Sequence, residues 1–83
     1  MYFVYALFSE THNRIYIGMT SDIKRRAAEH NLGKEKSTKH HVPWILFYSE
    51  EYSSRPEARG REKRLKTSFG RNYLREILSN MRL

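Results

Sequence analysis

At 83 residues the chain has room for one small domain, spanning 1–83, whose thin core is helped by an aromatic content of 13%. It contains no cysteine, which excludes disulfide staples and thiolate metal sites and suits a reducing cytoplasm, the expected location. Sixteen Lys and Arg against nine Asp and Glu give a formal charge of +7, and the longest apolar run is far too short for a membrane span, so the expected partner is a polyanion and not a membrane.

YFVYALF (2–8) carries aromatic and β-branched residues on both alternating faces, which predicts a strand covered on both sides and therefore central. The start, MYFVYAL, lacks the basic region and small-residue cleavage site of a signal peptide. SETHN (9–13) is a polar turn, and RIYIG (14–18) is a second strand close enough to pair with the first as an antiparallel hairpin. Gly18 ends that strand, at a place where the backbone has to approach something closely. Thr20, Ser21 and Asp22 are N-cap residues, so a first helix should begin there and run to about Asn31, with Gly33 as a left-handed cap. KEKSTKHHVP (34–43) reads as a basic loop and WILFYSEEY (44–52) as a third strand. SRPE (54–57) is a capping box, with Ser54 at the N-cap, Glu57 three residues on and Pro56 in the first turn. The second helix should run to about Ser68, with Gly70 breaking it before a third helix that places Leu74, Ile77, Leu78 and Met81 on one face. The order ββαβαα predicts an α+β fold, a small antiparallel sheet packed against helices.

The charge is unevenly placed. Before Lys24 the only basic residue is Arg14, whereas Arg55 to Arg75 holds eight, which favours a nucleic-acid partner. Three polar residues break the apolar patterning. On the second helix Ala58, Glu62, Leu65 and Phe69 form one stripe, and a carboxylate among core residues needs a partner, either a basic side chain or a divalent cation. On the first helix Ile23, Ala27 and His30 make the inner face and Arg26 borders it. Arg26 reads either as a side chain whose stem packs on the core edge or as a guanidinium that grips phosphate. His30 reads either as a C-terminal helix residue or as a phosphate-contacting or proton-transfer group. Tyr5 and Tyr16 lie on neighbouring strands, where ordinary aromatic packing competes with a role in orienting or activating water. His12, His40 and His41 read as loop residues that contact phosphate.

In these positions the sequence resembles the GIY-YIG nucleases, over nearly the whole chain. FVY (3–5) stands where that family has its first tripeptide, with Phe3 in place of the first glycine, and YIG (16–18) is its second, unaltered. The helix arginine ten residues after the YIG tyrosine is Arg26, RRAAEHN places His30 on the family histidine, and EARGREKRLK (57–66) resembles the segment around the metal-binding glutamate, which maps to Glu62. The nearest likeness is to small standalone members similar to the N-terminal nuclease domain of the excision-repair endonuclease. The resemblance implies a three-stranded antiparallel sheet with flanking helices. It implies an endonuclease that cuts DNA with one divalent ion, Mg²⁺ or Mn²⁺, in a repair or recombination setting. It further implies catalytic roles for Tyr5, Tyr16, Arg26, His30 and Glu62, with Glu62 the metal ligand and the choice of water-handling tyrosine open. Lys24, Arg25, Lys34, Lys36, Lys39, Arg59, Lys63 and Lys66 would hold the DNA backbone without reading sequence. The segment carries no attached DNA-recognition domain, so a partner protein or a second copy would supply specificity. The competing expectation is a non-catalytic nucleic-acid-binding module or adaptor on the same fold.

Overall fold

Strand β1, Tyr2–Ser9, is buried without a break from Val4 to Ser9, as expected of a strand with two apolar faces. Its neighbours are β2, Arg14–Thr20, and β3, Ile45–Tyr52, in the antiparallel order β2-β1-β3. The computed structural model describes residues 1–81, and three helices complete it: α1 (Ile23–Asn31), α2 (Arg55–Leu65) and α3 (Ser68–Met81). The α+β architecture agrees with the sequence reading.

The period of two in β1 divides the core. Val4, Ala6 and Phe8 face one way and pack with Ile17, Phe47, Ala58, Leu65, Leu74 and Leu78, so α2 and α3 cover that face. Tyr5 and Leu7 face the other way with Trp44 and Tyr16, on the side of α1. The pairing of β1 with β3 shifts by one residue between Ala6 and Leu7, a bulge whose extra residue, Phe47, is buried in the larger core. Arg61 of α2 donates to Glu50 of β3 at 2.9 Å, and the Tyr48 and Tyr52 hydroxyls donate to the same carboxylate.

The helix ends follow their capping chemistry. Asp22 is the N-cap of α1, its Oδ1 accepting from the Arg25 N–H at 3.1 Å, and Gly33 takes the left-handed φ of +76° just past the helix. Ser54 accepts from the Glu57 N–H at 3.3 Å, as the capping box predicts.

Four expectations are corrected. β2 continues to Thr20, so Gly18 lies inside the strand and not at its end. The loop 34–43 contains a short 3₁₀ turn at Lys39–His41. α2 stops at Leu65, because Thr67 donates its hydroxyl to the Arg64 carbonyl at 2.6 Å and accepts from the Gly70 N–H at 3.3 Å, opening a new helix. Gly70 is therefore no breaker: it lies buried inside α3, where a Cβ would stand 2.3 Å from the Leu65 Cα. Phe69 consequently belongs to α3, and it is 67% exposed instead of completing the α2 stripe. Met81 is exposed, while Leu74 and Leu78 are buried as predicted. Among the described residues no helix is long and apolar enough to cross a membrane.

Candidate active site

The hairpin register sets Tyr5 opposite Gly18 and Leu7 opposite Tyr16. A Cβ on Gly18 would stand 2.5 Å from the Tyr5 hydroxyl and 3.0 Å from Tyr16 Cε2, so the missing side chain is the space the two phenols occupy. Their ring centroids are 6.3 Å apart. α1 then brings His30 onto this pair. Its Nε2 lies 2.9 Å from the Tyr5 hydroxyl, its Nδ1 lies 2.7 Å from Thr38 Oγ1, and its ring centroid is 4.7 Å from that of Tyr16. Trp44 closes the far side, 6.4 Å from Tyr16, with its indole N–H donating to the Thr38 carbonyl at 3.0 Å.

Both Tyr5 and His30 are held in their neutral forms. Burial, then the nearby Tyr16, pushes the Tyr5 phenol up to about 12, with Arg26 offsetting part of the rise. Burial, reinforced by the Arg26 charge, lowers the His30 pKa below the usual imidazole range. Tyr5 is 1% exposed, so its proton needs an acceptor within the protein. One assignment satisfies every donor: Tyr5 O–H donates to His30 Nε2, His30 Nδ1–H donates to Thr38 Oγ1, and Thr38 O–H donates to the Glu35 carbonyl at 3.4 Å.

Arg26 lies beside this chain with its guanidinium divided between two carboxylates, Glu29 at 3.1 Å and Glu35 at 2.5 Å. The bond to Glu35 raises the arginine pKa further, and the same bond holds the Glu35 carboxyl below the usual range. Asn31 fastens the loop that carries Glu35 and Thr38, accepting from the Trp44 N–H at 2.6 Å and donating to the Trp44 carbonyl at 3.0 Å. Sequence reasoning missed Glu35, Thr38, Asn31 and Trp44. The available signal was Glu35 itself, the one acid in an otherwise basic loop.

Glu62 is placed apart from these residues. It shares the sheet-facing side of α2 with Ala58 and Leu65, on the face of β1 opposite Tyr5, and no described hydrogen bond joins it to Tyr5, Tyr16, Arg26 or His30. It is 7% exposed, and its partners are basic side chains, Arg59 at 3.3 Å and Lys66 at 3.1 Å. Both partners are largely solvated and can release the carboxylate to a cation. Among the described residues no cluster of three His, Asp or Glu is present. A divalent ion on Glu62 would take its other ligands from water and substrate, a donor set that Mg²⁺ accepts.

Lys24, Arg25, Lys34, Lys36, Lys39, Arg59, Lys63 and Lys66 are exposed, on α1, the following loop and α2. His12 and His41 meet edge to face at 4.9 Å, a pairing their sequence spacing did not suggest.

The chain is similar to known proteins in both sequence and fold. The GIY-YIG catalytic domain matches residues 1–75. A UPF0213 protein of Staphylococcus haemolyticus is 41% identical over 66 residues, 78% of this chain and 80% of that one. Another from Halobacterium salinarum is 44% identical over 52 residues, 61% of this chain and 68% of that one. The solution structure of a UPF0213 protein from Bacillus halodurans matches with a TM-score of 0.56 and 28% identity, covering 93% of this chain and 85% of that one. With the domain matched from Met1 through most of α3, and with YIG and the helix arginine both in place, the chain belongs to the GIY-YIG nuclease family.

Proposed function

We propose that the protein is an endonuclease that hydrolyses DNA phosphodiester bonds with one Mg²⁺ or Mn²⁺ at Glu62. GIY-YIG nucleases generally use divalent metal ions. The observation that carries the reading is the buried Tyr5–His30–Thr38 hydrogen-bond chain beside Arg26, polar machinery that a small core does not need for packing.

Hydrolysis needs a positioned water, compensation of the charge that grows on the phosphorus oxygens, and help for the leaving oxygen. When bound, the cation supplies charge neutralisation at the scissile phosphate and its leaving oxygen. Arg26 spans two phosphate oxygens with the same planar fork that now spans Glu29 and Glu35, and substrate displaces those carboxylates. Tyr16 handles the water: it is half-buried, and its hydroxyl has no side-chain partner among the described residues. Tyr5 is a positioning residue. Its proton is committed to His30, which holds both rings against Tyr16.

A plasmid-nicking assay with Mg²⁺ or Mn²⁺ tests the reading. Wild-type protein is expected to nick, and Glu62→Ala and Arg26→Ala are expected to lose activity. Cleavage that survives Glu62→Ala unchanged overturns the proposal, and folded wild type that is inert with all metals and DNA forms supports the binding-module alternative. The same assay on branched, single-stranded and duplex DNA tests the repair or recombination setting. One active site cuts one strand, so double-strand breaks would require two copies or a partner.

A further inference from the structure

Away from Tyr5, an open pocket of about 420 Å³ lies where the β1–β2 turn meets α3, lined by His12, Asn13, Arg14, Ile15, Arg71 and Arg75. No acidic side chain lines it. Elsewhere on the molecule Arg25, Arg26, Arg59 and Arg61 each pair with a carboxylate. Among the described residues no carboxylate lies within 4.0 Å of Arg14, Arg71 or Arg75, so the pocket concentrates arginine charge that the protein leaves uncompensated.

The pocket is also partly preformed. Arg75 donates to the Asn13 side-chain oxygen at 2.6 Å and to its carbonyl at 3.1 Å, and its guanidinium lies 5.9 Å from the Phe8 ring centre. An arginine already fixed loses little freedom when an anion arrives. The turn that presents it is held by Asn13 at a φ of +52°.

The pocket is joined to the candidate active site. Tyr16, Trp44, His41 and His12 form a row of rings spaced 6.4, 6.2 and 4.9 Å, running from the tyrosine pair to the pocket wall. Arg14 shares a face of β2 with Tyr16, two residues away, or roughly 7 Å along a strand. That is roughly the axial length of two nucleotides.

We propose that this pocket is a second phosphate subsite, taking a backbone phosphate of the nucleic-acid strand a few nucleotides from the phosphate at Arg26. The inference rests on the nucleic-acid part of the functional reading and not on cleavage. Arg14 and Arg71 supply the fork-like contacts, Arg75 fixes the pocket, and no base edge is read.

Fluorescence anisotropy of the full chain with labelled duplex DNA, over a series of salt concentrations, tests it. Arg14→Ala combined with Arg71→Ala is expected to bind roughly tenfold more weakly for any sequence, with the slope of log Kd on log salt shallower by about 0.9 for each phosphate no longer neutralised. Arg14→Lys combined with Arg71→Lys is expected to keep the slope. A folded double-alanine variant with the wild-type slope overturns the proposal, and so does a wild type that does not bind duplex. Inorganic phosphate and pyrophosphate provide the second arm, read by NMR at His12 and Arg14. If these free anions shift both residues while the double-alanine variant leaves duplex binding unchanged, the nucleic-acid source is overturned. Cleavage is scored separately: a wild type that binds with the expected slope but cuts nothing sinks the endonuclease reading and leaves the subsite standing.

Discussion

The Tyr5 hydroxyl and His30 Nε2, 2.9 Å apart and both buried, tie the central strand to the end of α1. Removing the hydroxyl alone leaves a buried ring nitrogen without its donor. Tyr5→Phe is therefore expected to cost about 1–3 kcal/mol in urea unfolding. Tyr16→Phe, which breaks no described side-chain hydrogen bond, is expected to cost less than about 0.5 kcal/mol yet to lower kcat for nicking strongly with little change in KM. If Tyr16→Phe cleaves as wild type does, the water-handling role assigned to Tyr16 is wrong.

Stability should fall in mild acid. His30 has a depressed pKa when folded and an ordinary value near 6.5 when unfolded, so below about 6.5 the unfolded chain takes up a proton that the folded chain refuses. The contribution is complete above that pH and is lost as pH drops toward the folded value. His41 is shifted in the same direction, by burial and then by Arg14, His12 and His40, so the informative comparison is between variants. The decline in Tm from pH 7.5 to 5 is expected to be shallower in His30→Gln than in wild type. Equal declines would show that His30 does not control it. The Glu35 carboxyl, also held low, acts in a separate window, with its contribution lost only as pH falls below about 4.3.

Two glycines should respond in opposite senses. Gly18→Ala forces a Cβ into the Tyr5 hydroxyl and is expected to destabilise by about 1–3 kcal/mol and to impair nicking. Gly60 lies within α2 with nothing within 4 Å of a built Cβ, so Gly60→Ala is expected to stabilise by about 0.5–1 kcal/mol. Chemical denaturation of both variants, alongside the nicking assay for Gly18→Ala, checks the pair.

Glu35 competes with phosphate for Arg26. Neutralising it as Glu35→Gln is expected to tighten DNA binding a few-fold at low salt, while stability changes by less than about 1 kcal/mol because the carboxylate is partly solvated. Anisotropy and urea unfolding on the same samples separate the two effects. Unchanged affinity would mean that Arg26 does not reach the DNA.

Much of the fold was legible because local chemistry and tertiary packing agree. The two apolar faces of β1, the Asp22 and Ser54 caps and the left-handed Gly33 each act within a few residues of their own position. The α2–α3 boundary was misplaced for a physical reason. Gly70 looks like a helix breaker, but its bareness serves the close approach of α3 to Leu65, while the break is made by the hydroxyl of Thr67. Within the site, the pattern-breaking Arg26 and Glu62 were readable as residues in need of partners. Their actual partners were not, because Glu35 sits in a loop with no periodicity, and Arg59 and Lys66 differ from the surrounding basic residues only in their helical offset from Glu62. Thr38 was invisible because a threonine in a polar loop gives no sign of being buried against a histidine.

β1 lies between both layers of helices and carries Tyr5 on one side and Val4, Ala6 and Phe8 on the other. The strand that supplies the candidate catalytic architecture is thus the backbone segment most deeply shielded from solvent. Its amides are expected to exchange with deuterium only when the whole molecule opens. In a denaturant titration, nicking and sheet circular dichroism should then disappear at one common midpoint. Any inhibitor that gains entry by prising the tyrosines apart has to work against the full folding cooperativity of the domain.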